Sequence, residues 1–229
     1  MEMHWLAQTP LFSGIAEQEL QQLLQCLGSW SRQFARGETV LHAGEVVPAM
    51  GLVLSGRVQI EVHDLWGSRS VLDFVEPGMV FAEAYACVPQ EPLLVRVVAC
   101  QDSEILFLQA SRLLHTCPVS CPHHTALIRN LLRISAQKNL GLSQRMHAIT
   151  PKRIRGRLLT YLSFQAARTG SREFALPMNR QQLADYLNVE RSALSHELGR
   201  MERDGLLTVR RSRFCLTPQA MELAEQPEK

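Results

Sequence analysis

The chain of 229 residues lacks several features that define common protein classes. It has no run of about 18 apolar residues, so no membrane-spanning helix is expected. Its first residues contain no basic segment followed by an apolar one, so we expect no secretory signal and a cytoplasmic location. Six cysteines in so long a chain do not suggest a disulfide scaffold, and reduced thiols are expected. A glycine-rich phosphate loop, a Ser-His-Asp arrangement and paired catalytic carboxylates are also missing, which argues against an enzyme.

Charge is distributed unevenly along the chain. Residues 1–120 carry 6 basic and 13 acidic side chains, a net charge of −7, whereas residues 121–229 carry 18 basic and 9 acidic side chains, a net charge of +9. This division favours an acidic module joined to a module that binds a polyanion. If the polyanion is DNA, affinity should fall steeply with salt, because each neutralised phosphate releases counterions.

The segment from residue 179 to residue 216 is the most informative part of the sequence. Asn179 stands three residues before Gln182 at the start of an apolar-periodic stretch, which predicts a capping box and a helix. A turn at Asn188-Val189 separates this helix from a second one, which ends at Asp204-Gly205. The predicted buried side of the second helix consists of Leu194, Leu198 and Met201.

The outward face of that second helix carries the side chains expected to reach DNA bases. They are Arg191, Ser192, Ser195 and His196. Two alternating runs, 206–210 and 213–216, predict a β-hairpin beside the helix. The whole segment therefore predicts a winged helix-turn-helix; the alternative is a two-helix packing unit with a polar outer face.

The first half of the chain has a β pattern. Residues 57–63 alternate, with Val58, Ile60 and Val62 on one face. Further strands are predicted at 71–75, 94–99 and 105–108, and residues 11–26 predict a short amphipathic helix. Short strands between regularly spaced turns predict an antiparallel β-roll, resembling a jelly roll, over residues 10–115.

One long helix is predicted from about residue 123 to residue 149. Its apolar or small positions recur at alternating steps of four and three residues, the heptad pattern of a coiled coil. The predicted dimer seam is Ile128, Leu132, Ser135, Asn139, Leu142, Met146 and Ile149. Asn139 at a core position favours a parallel, two-stranded homodimer. A second stripe of Leu127, Leu131 and Ile134 is expected to pack on the β domain; a helix buried on two sides within a monomer is the alternative.

A hinge at residues 150–152 and a further helix from Lys152 to Arg168 complete the organisation. The predicted core of this helix is Ile154, Leu158, Leu159, Leu162 and Phe164. The fold class is α+β, with domains at 1–121 (β-roll sensor), 122–150 (dimerisation helix) and 151–229 (winged helix-turn-helix).

Cysteine and histidine supply the remaining candidate ligands. Cys117, Cys121, His123 and His124 are soft-metal, iron–sulfur or redox ligand types, although their spacing fits no standard zinc pattern. Ordinary junction residues are the alternative. The other cysteines, Cys26, Cys87, Cys100 and Cys215, are predicted to be small core residues. A haem could take an axial ligand from His42, His63, His123 or His124. A cupin-type metal enzyme would have only His42, His63 and Glu83 as ligands.

In this order of elements the chain resembles the Crp/Fnr family of bacterial transcription regulators. In the β domain the likeness rests on Arg36-Gly37-Glu38, Ala43-Gly44-Glu45, Leu54-Ser55-Gly56-Arg57-Val58 and Pro77-Gly78. In the helix-turn-helix it rests on residues 179–184 and on Glu190-Arg191-Ser192. The resemblance implies a homodimeric regulator that binds double-stranded DNA at a two-fold operator, with RNA polymerase as a further partner.

The resemblance also implies roles for individual residues in DNA binding. The four outward side chains from Arg191 to His196 occupy the family's base-reading positions. Asn179 and Gln181 would hold phosphate, and the wing residues Arg210, Arg211 and Arg213 would contact phosphate without reading sequence. Many members have Glu where Ser192 stands and Arg where His196 stands, so the operator read here should differ from the familiar one.

The sensor departs further from the family pattern. Cyclic-nucleotide binders carry Gly-Glu before a loop and Arg-Ser after it, whereas this chain has Ala82-Glu83 and Leu93-Leu94. Without the arginine a buried phosphate lacks its charge partner, so useful binding of cyclic AMP or cyclic GMP is not expected. The candidate effector pocket comprises Glu83, Leu93, Leu94 and Asn139. The effector stays open between an unknown small molecule, haem, and a metal or thiol-redox signal; a regulator active without ligand is a further alternative.

Overall fold

The computed structural model describes residues 3–63, 69–88, 90–114 and 122–225. They form two compact units, Met1–Gln137 and Lys138–Lys229, and the boundary between them lies inside one long helix. The division into domains 1–121, 122–150 and 151–229 stays a prediction. Within the described ranges, no helix has both the length and the apolar character that crossing a membrane requires.

The N-terminal unit is an antiparallel β-roll with short helices. These helices are α1 (Met3–Ala7), α2 (Glu17–Cys26), α3 (Glu83–Cys87) and α4 (Ala110–Leu114). The strands are β1 (Trp30–Phe34), β2 (Thr39–Leu41), β3 (Ala49–Ser55), β4 (Val58–His63), β5 (Arg69–Val75), β6 (Val80–Phe81), β7 (Arg96–Ala99) and β8 (Ser103–Gln109). They pair antiparallel in two sheets, β1-β8-β3-β6 and β2-β7-β4-β5. The predicted antiparallel roll is confirmed.

Two apolar clusters hold the N-terminal unit together. The cluster within the roll includes Phe34, Val53, Val58, Phe81 and Ile105. The other cluster joins α1 and α2 to the first turns of the long helix α5 (Pro122–Ile149), and it includes Leu20, Leu24, Met50, Leu127 and Leu131. The second stripe of α5 therefore packs as expected, with Ile134 partly buried against the same cluster.

Some local predictions for this unit are wrong. The amphipathic helix predicted over residues 11–26 is α2, which begins at Glu17 and not near Leu11. The strand predicted over residues 94–99 is β7, which begins at Arg96, so Leu94 lies outside it. On β4, Glu61 is only 1 % exposed and is buried, whereas Val62 is only partly buried. The register between β4 and β5 shifts between Ile60 and Glu61, where Leu72 of β5 is the extra residue.

The C-terminal unit contains the end of α5 and a winged helix-turn-helix. Its other helices are α6 (Ile154–Thr169), α7 (Arg180–Tyr186), α8 (Arg191–Arg203) and α9 (Pro218–Glu225). Its strands β9 (Glu173–Ala175), β10 (Leu207–Arg210) and β11 (Arg213–Leu216) form an antiparallel sheet in the order β10-β11-β9. The core includes Leu158, Leu162, Leu183, Leu198 and Phe214. The prediction that Phe164 lies in this core is wrong, because its side chain is 39 % exposed.

Candidate nucleic-acid interface

Helix α7 begins with the predicted capping box. The Gln182 backbone N–H donates to Asn179 Oδ1 at 2.9 Å, and the Asn179 backbone N–H donates to Gln182 Oε1 at 2.8 Å. After the helix ends at Tyr186, Asn188 adopts a left-handed backbone with φ 52°. Asparagine is one of the few residues that tolerate this conformation, so the turn between α7 and α8 forms where the sequence predicts it.

Helix α8 has an apolar inner face and a polar outer face. Leu194, Leu198 and Met201 are at most 2 % exposed and pack in the core of the C-terminal unit. The predicted base-reading side chains are all exposed, and they are Arg191, Ser192, Ser195 and His196. They lie in the first two turns of α8, the end of a recognition helix that normally meets base edges.

Arg155 on α6 fixes the position of α8 from its inner side. Its Nε donates to Glu197 Oε1 at 2.6 Å, and its Nη2 lies 2.7 Å from Asp204 Oδ2. The hydrogen bond to Glu197 is the main cause that raises the pKa of the Arg155 guanidinium. Sequence reasoning missed this residue, because a basic side chain in a helix gives no local sign of the carboxylate that it reaches.

Two further arginines bind the backbone at the end of α7. Arg157 Nη1 donates to the carbonyls of Leu187 and Asn188 at 3.1 and 2.9 Å. Arg145 donates to the carbonyls of Asp185 and Tyr186 at 3.0 and 3.1 Å. The last carbonyls of a helix have no partner within it, so these guanidinium groups complete the C-terminus of α7 and hold the turn. Sequence reasoning missed both of them.

The wing is the predicted hairpin of β10 and β11. Its two-residue loop contains Arg211, which has a left-handed backbone with φ 56°, and Ser212, whose carbonyl accepts from the Leu176 N–H at 2.9 Å. Arg210 and Arg213 are directly opposite each other in the ladder, and all three wing arginines are exposed. Like charges that face each other destabilise a hairpin, and a bound polyanion would relieve this repulsion.

The predicted phosphate-binding pair at the start of α7 is exposed, but both side chains already have partners. Asn179 Oδ1 caps the helix, and Gln181 Nε2 donates to Asp185 Oδ1 at 2.8 Å. Gln181 would have to exchange this bond for one to phosphate. Their role in phosphate binding stays a prediction.

The proposed dimer seam is largely open to solvent in the single chain. Leu132, Leu142 and Met146 are 68, 62 and 68 % exposed, and Asn139 is also exposed. Ile128 differs from them because it is partly buried against the N-terminal core. Exposed leucine and methionine in one helical stripe leave a face of α5 that this chain alone does not cover.

The candidate effector residues are not all part of the roll's interior. Glu83 is buried at the start of α3 and follows Ala82, whose backbone is left-handed with φ 58°. Leu93 is buried in the apolar cluster inside the roll, whereas Leu94 is 70 % exposed. Asn139 lies in the C-terminal unit. Of the pair Leu93-Leu94, Leu93 is therefore the residue whose side chain fills the interior of the β-roll.

A polar cluster beside the roll was missed by sequence reasoning. The carboxylate of Glu61 accepts from Gln59 Nε2 at 2.7 Å and lies 3.8 Å from Arg96 Nη1. Arg96 in turn donates from Nε to Thr39 Oγ1 at 3.0 Å. The partners come from three different strands, β4, β7 and β2, so residue spacing within one strand does not indicate this arrangement.

Among the cysteines and histidines, the described residues include no group of three or more metal-ligating side chains. Cys117 and Cys121 lie outside the described residues, as does the side chain of His63. His123 Nδ1 is 3.0 Å from Glu19 Oε2, and buried His124 has Nε2 4.0 Å from Cys26 Sγ. His42, a candidate for haem or cupin-type ligation, is exposed.

The expectation that the other four cysteines are core residues is wrong. Cys26 and Cys215 are exposed, and Cys87 and Cys100 are half-buried. Their apolar neighbours in sequence point to other sides of the same helix or strand, since a helix turns by about 100° and a strand by 180° per residue. Burial raises the pKa of both half-buried thiols, so they are poor nucleophiles at neutral pH.

Two family models match the chain. The model of the cyclic nucleotide-binding domain matches residues 31–118, and the model of the Crp-like helix-turn-helix domain matches residues 156–224. A curated relative, the cyclic AMP receptor protein of Thermus thermophilus, is 25 % identical over 213 residues, which cover 93 % of this chain and 88 % of the relative.

Solved structures share the fold. CprK in complex with OCPA has a TM-score of 0.66 at 15 % identity and covers 86 % of this chain and 90 % of its own. A CooA mutant from Carboxydothermus hydrogenoformans has a TM-score of 0.60 at 18 % identity and covers 89 and 90 %. A cyclic nucleotide-binding domain match followed along the chain by a Crp-like helix-turn-helix match makes this chain a DNA-binding transcription regulator of the Crp/Fnr family.

Proposed function

We propose that the chain acts as a homodimer that binds a two-fold DNA operator under the control of a signal received in the β-roll. The observation that carries the proposal is the surface formed by α8 and the wing. An exposed row of polar side chains lies on a helix whose opposite face is fully buried, next to three exposed arginines. This arrangement suits a helix that enters the major groove while the wing contacts the phosphate backbone.

Within this surface the side chains have different reach. Arg191 can donate two hydrogen bonds to a guanine, and His196 can donate one. Ser192 and Ser195 have short side chains that can hydrogen-bond to more than one type of base, so they discriminate little. Arg191 should therefore supply most of the sequence discrimination. Arg210, Arg211 and Arg213 contribute affinity without discrimination, and Asn179 and Gln181 are proposed to contact phosphate at the start of α7.

Dimerisation is proposed to occur along α5. The exposed stripe of Leu132, Leu142 and Met146 has the heptad spacing of a coiled coil, with Asn139 at one core position. Burying it against a second copy removes apolar surface from water, at roughly 25 cal/mol per Å². A dimer would also place two recognition helices about 34 Å apart along DNA, the spacing that a two-fold operator requires.

The signal is proposed to be something other than cyclic AMP. Leu93 occupies the position at which cyclic-nucleotide binders carry an arginine, and its side chain fills the interior of the roll. A phosphate placed there would lose its solvation without gaining a positive partner. The same packing favours a second candidate, a regulator whose sensor is degenerate and which binds DNA without ligand.

The test is selection of binding sites from random duplex DNA with the full-length protein, followed by affinity measurements on the selected operator. We expect a two-fold consensus. Arg191→Ala should weaken binding roughly tenfold to hundredfold and relax the preference at one position of each half-site. Arg168→Ala removes the same charge from an exposed position on α6 and should leave affinity and consensus nearly unchanged. Failure of the wild-type protein to enrich any two-fold site under oxidising and reducing conditions would contradict the proposal.

A further inference from the structure

A cavity of about 340 Å³ lies in the C-terminal unit, away from the outer face of α8. The end of α5, the middle of α6 and the end of α7 form its walls. Tyr161, Phe164 and Tyr186 line it with aromatic rings, and the ring centroids of the two tyrosines are 5.0 Å apart with an interplanar angle of 50°. Concave spaces of this size with aromatic walls are typical binding sites for small organic molecules.

The remaining walls of the cavity are polar but carry no permanent charge. Ser143, Gln144 and His147 from α5 contribute hydrogen-bonding groups, as does Thr160 from α6. Burial raises the pKa of Tyr161 to about 12 and raises that of Tyr186, so both are neutral phenols at neutral pH. The described lining residues include no carboxylate, lysine or arginine, and the Arg145 guanidinium at the Tyr186 ring is already bound to two carbonyls, which favours a neutral ligand.

The aromatic walls are held in place by contacts within the C-terminal unit. Tyr186 is fixed by Arg145, whose guanidinium lies 5.5 Å from its ring centroid and donates to its carbonyl at 3.1 Å. Tyr161 is buried in the core of the unit. Phe164, by contrast, is 39 % exposed although it lies on a helix with a strongly apolar inner face. An apolar ligand would cover this ring without any rearrangement of the backbone.

We propose that this cavity is a second ligand site, which takes a neutral aromatic molecule of about the size of indole that carries a hydrogen-bonding group. The ring of the ligand would lie against Phe164 and the two tyrosines, and its polar group would bond to the α5 side chains. All of its lining residues among those described belong to the C-terminal unit and none to the β-roll. Because its walls come from α5, α6 and α7, an occupant would bind α5 and the helix-turn-helix at once.

A second copy of the chain is a less suitable occupant. The proposed seam residues Leu142 and Met146 lie on one face of α5, whereas Ser143 and His147 follow them by one residue each and are rotated by about 100°. A helix packed along the seam would therefore lie beside the cavity and would not fill it. The aromatic residues that line the cavity also belong to α6 and α7 and not to α5.

The experiment is calorimetric titration of the full-length protein with indole, and with benzoate as a charged comparison. Ser143→Trp places a ring into the cavity from an exposed position on α5, and Phe164→Ala removes one wall. Gln137→Trp is the matched control, because it adds the same ring at an exposed α5 position that does not line the cavity. Circular dichroism and sedimentation establish that each variant keeps its fold and assembly.

We expect saturable indole binding, roughly millimolar or tighter, and at least tenfold weaker binding of benzoate. Ser143→Trp should weaken indole binding at least tenfold, Phe164→Ala at least threefold, and Gln137→Trp less than twofold. Absence of saturation with the wild-type protein, or equal binding by Ser143→Trp, would overturn the proposal. If indole does not bind and Ser143→Trp changes the sedimentation coefficient, the cavity belongs to a contact between copies, and the proposal is wrong.

Discussion

The two units of this chain place their polar groups in different locations. In the described residues, the buried polar or charged side chains of the N-terminal unit are Thr9, Glu61, Glu83, Ser103, His124 and Asn130, whereas the C-terminal unit buries only Gln165. The C-terminal unit has an apolar core and exposes nine of its arginines, whereas Arg145, Arg155, Arg157 and Arg180 are half-buried. Buried polar side chains depend on their hydrogen-bond partners inside the protein. Exposed charges interact mainly with a polyanion outside it.

The C-terminal core should give the largest effect when it is disrupted. Leu198→Ala leaves a cavity under α8 and should lower the free energy of unfolding of the C-terminal unit by about 2–5 kcal/mol. Amide hydrogen exchange at increasing urea concentration reports the unfolding of each unit by itself, and the protection of the N-terminal unit should not change. Leu140→Ala, at a position of α5 that is 61 % exposed and outside the proposed seam, is the control and should leave the unfolding of the unit unaltered.

The buried tyrosine predicts a loss of stability at high pH. Burial raises the pKa of Tyr161 from 10.0 to about 12, so the unfolded chain releases this proton before the folded chain does. Folding stability should therefore fall as pH rises from about 10 to about 12, by roughly 2–3 kcal/mol in total. Urea unfolding across this interval measures the effect. Tyr161→Phe should remove most of the slope, and an identical slope in that variant would assign it to other groups.

The capping box should contribute a smaller amount. Asn179→Ala removes the acceptor for the Gln182 N–H and should cost about 0.5–2 kcal/mol, measured by thermal unfolding. Ser195→Ala changes an exposed side chain in the middle of α8 and should stay within about 0.5 kcal/mol of the wild type. An equal effect of both substitutions would mean that the cap does not stabilise the unit.

The smallest effect concerns the wing. Arg211→Ala should weaken DNA binding by a similar factor for every sequence and reduce the slope of log affinity against log salt by about one. Titration of operator and unrelated duplexes at several salt concentrations measures both quantities. A change confined to the operator would show that Arg211 reads bases, contrary to its proposed contact with phosphate.

Features with a local signal could be predicted from the sequence. Asn179 and Gln182 are three residues apart, the turn at Asn188 is adjacent to both helices, and the wing strands are separated by two residues. Each signal lies within one element or between neighbours, so no knowledge of distant contacts is needed. The inward leucines of α8 followed from helical periodicity alone.

Features that depend on distant contacts could not be predicted. Glu61 is buried although it is charged, and its partner Arg96, 35 residues later in the chain, lies directly opposite it in the ladder of β4 and β7. Phe164 follows the apolar pattern of α6, yet the space beside it contains a cavity. Arg155 and Arg157 resemble solvent-exposed arginines in the sequence, and only the fold brings their guanidinium groups to Glu197 and to the end of α7.

The hydrogen bonds from α6 to the helix-turn-helix limit the operators that the protein can tolerate. Arg155 binds α8 to α6, and Arg157 binds the end of α7 to α6, so these helices should move as one rigid DNA-binding body. One extra base pair between half-sites shifts the second half-site by about 3.4 Å and turns it by about 35° around the DNA axis. The end of α5 is bound to the same helices, because Arg145 donates to the carbonyls of Asp185 and Tyr186, so the segment from Thr150 to Arg153 is not free to absorb that displacement.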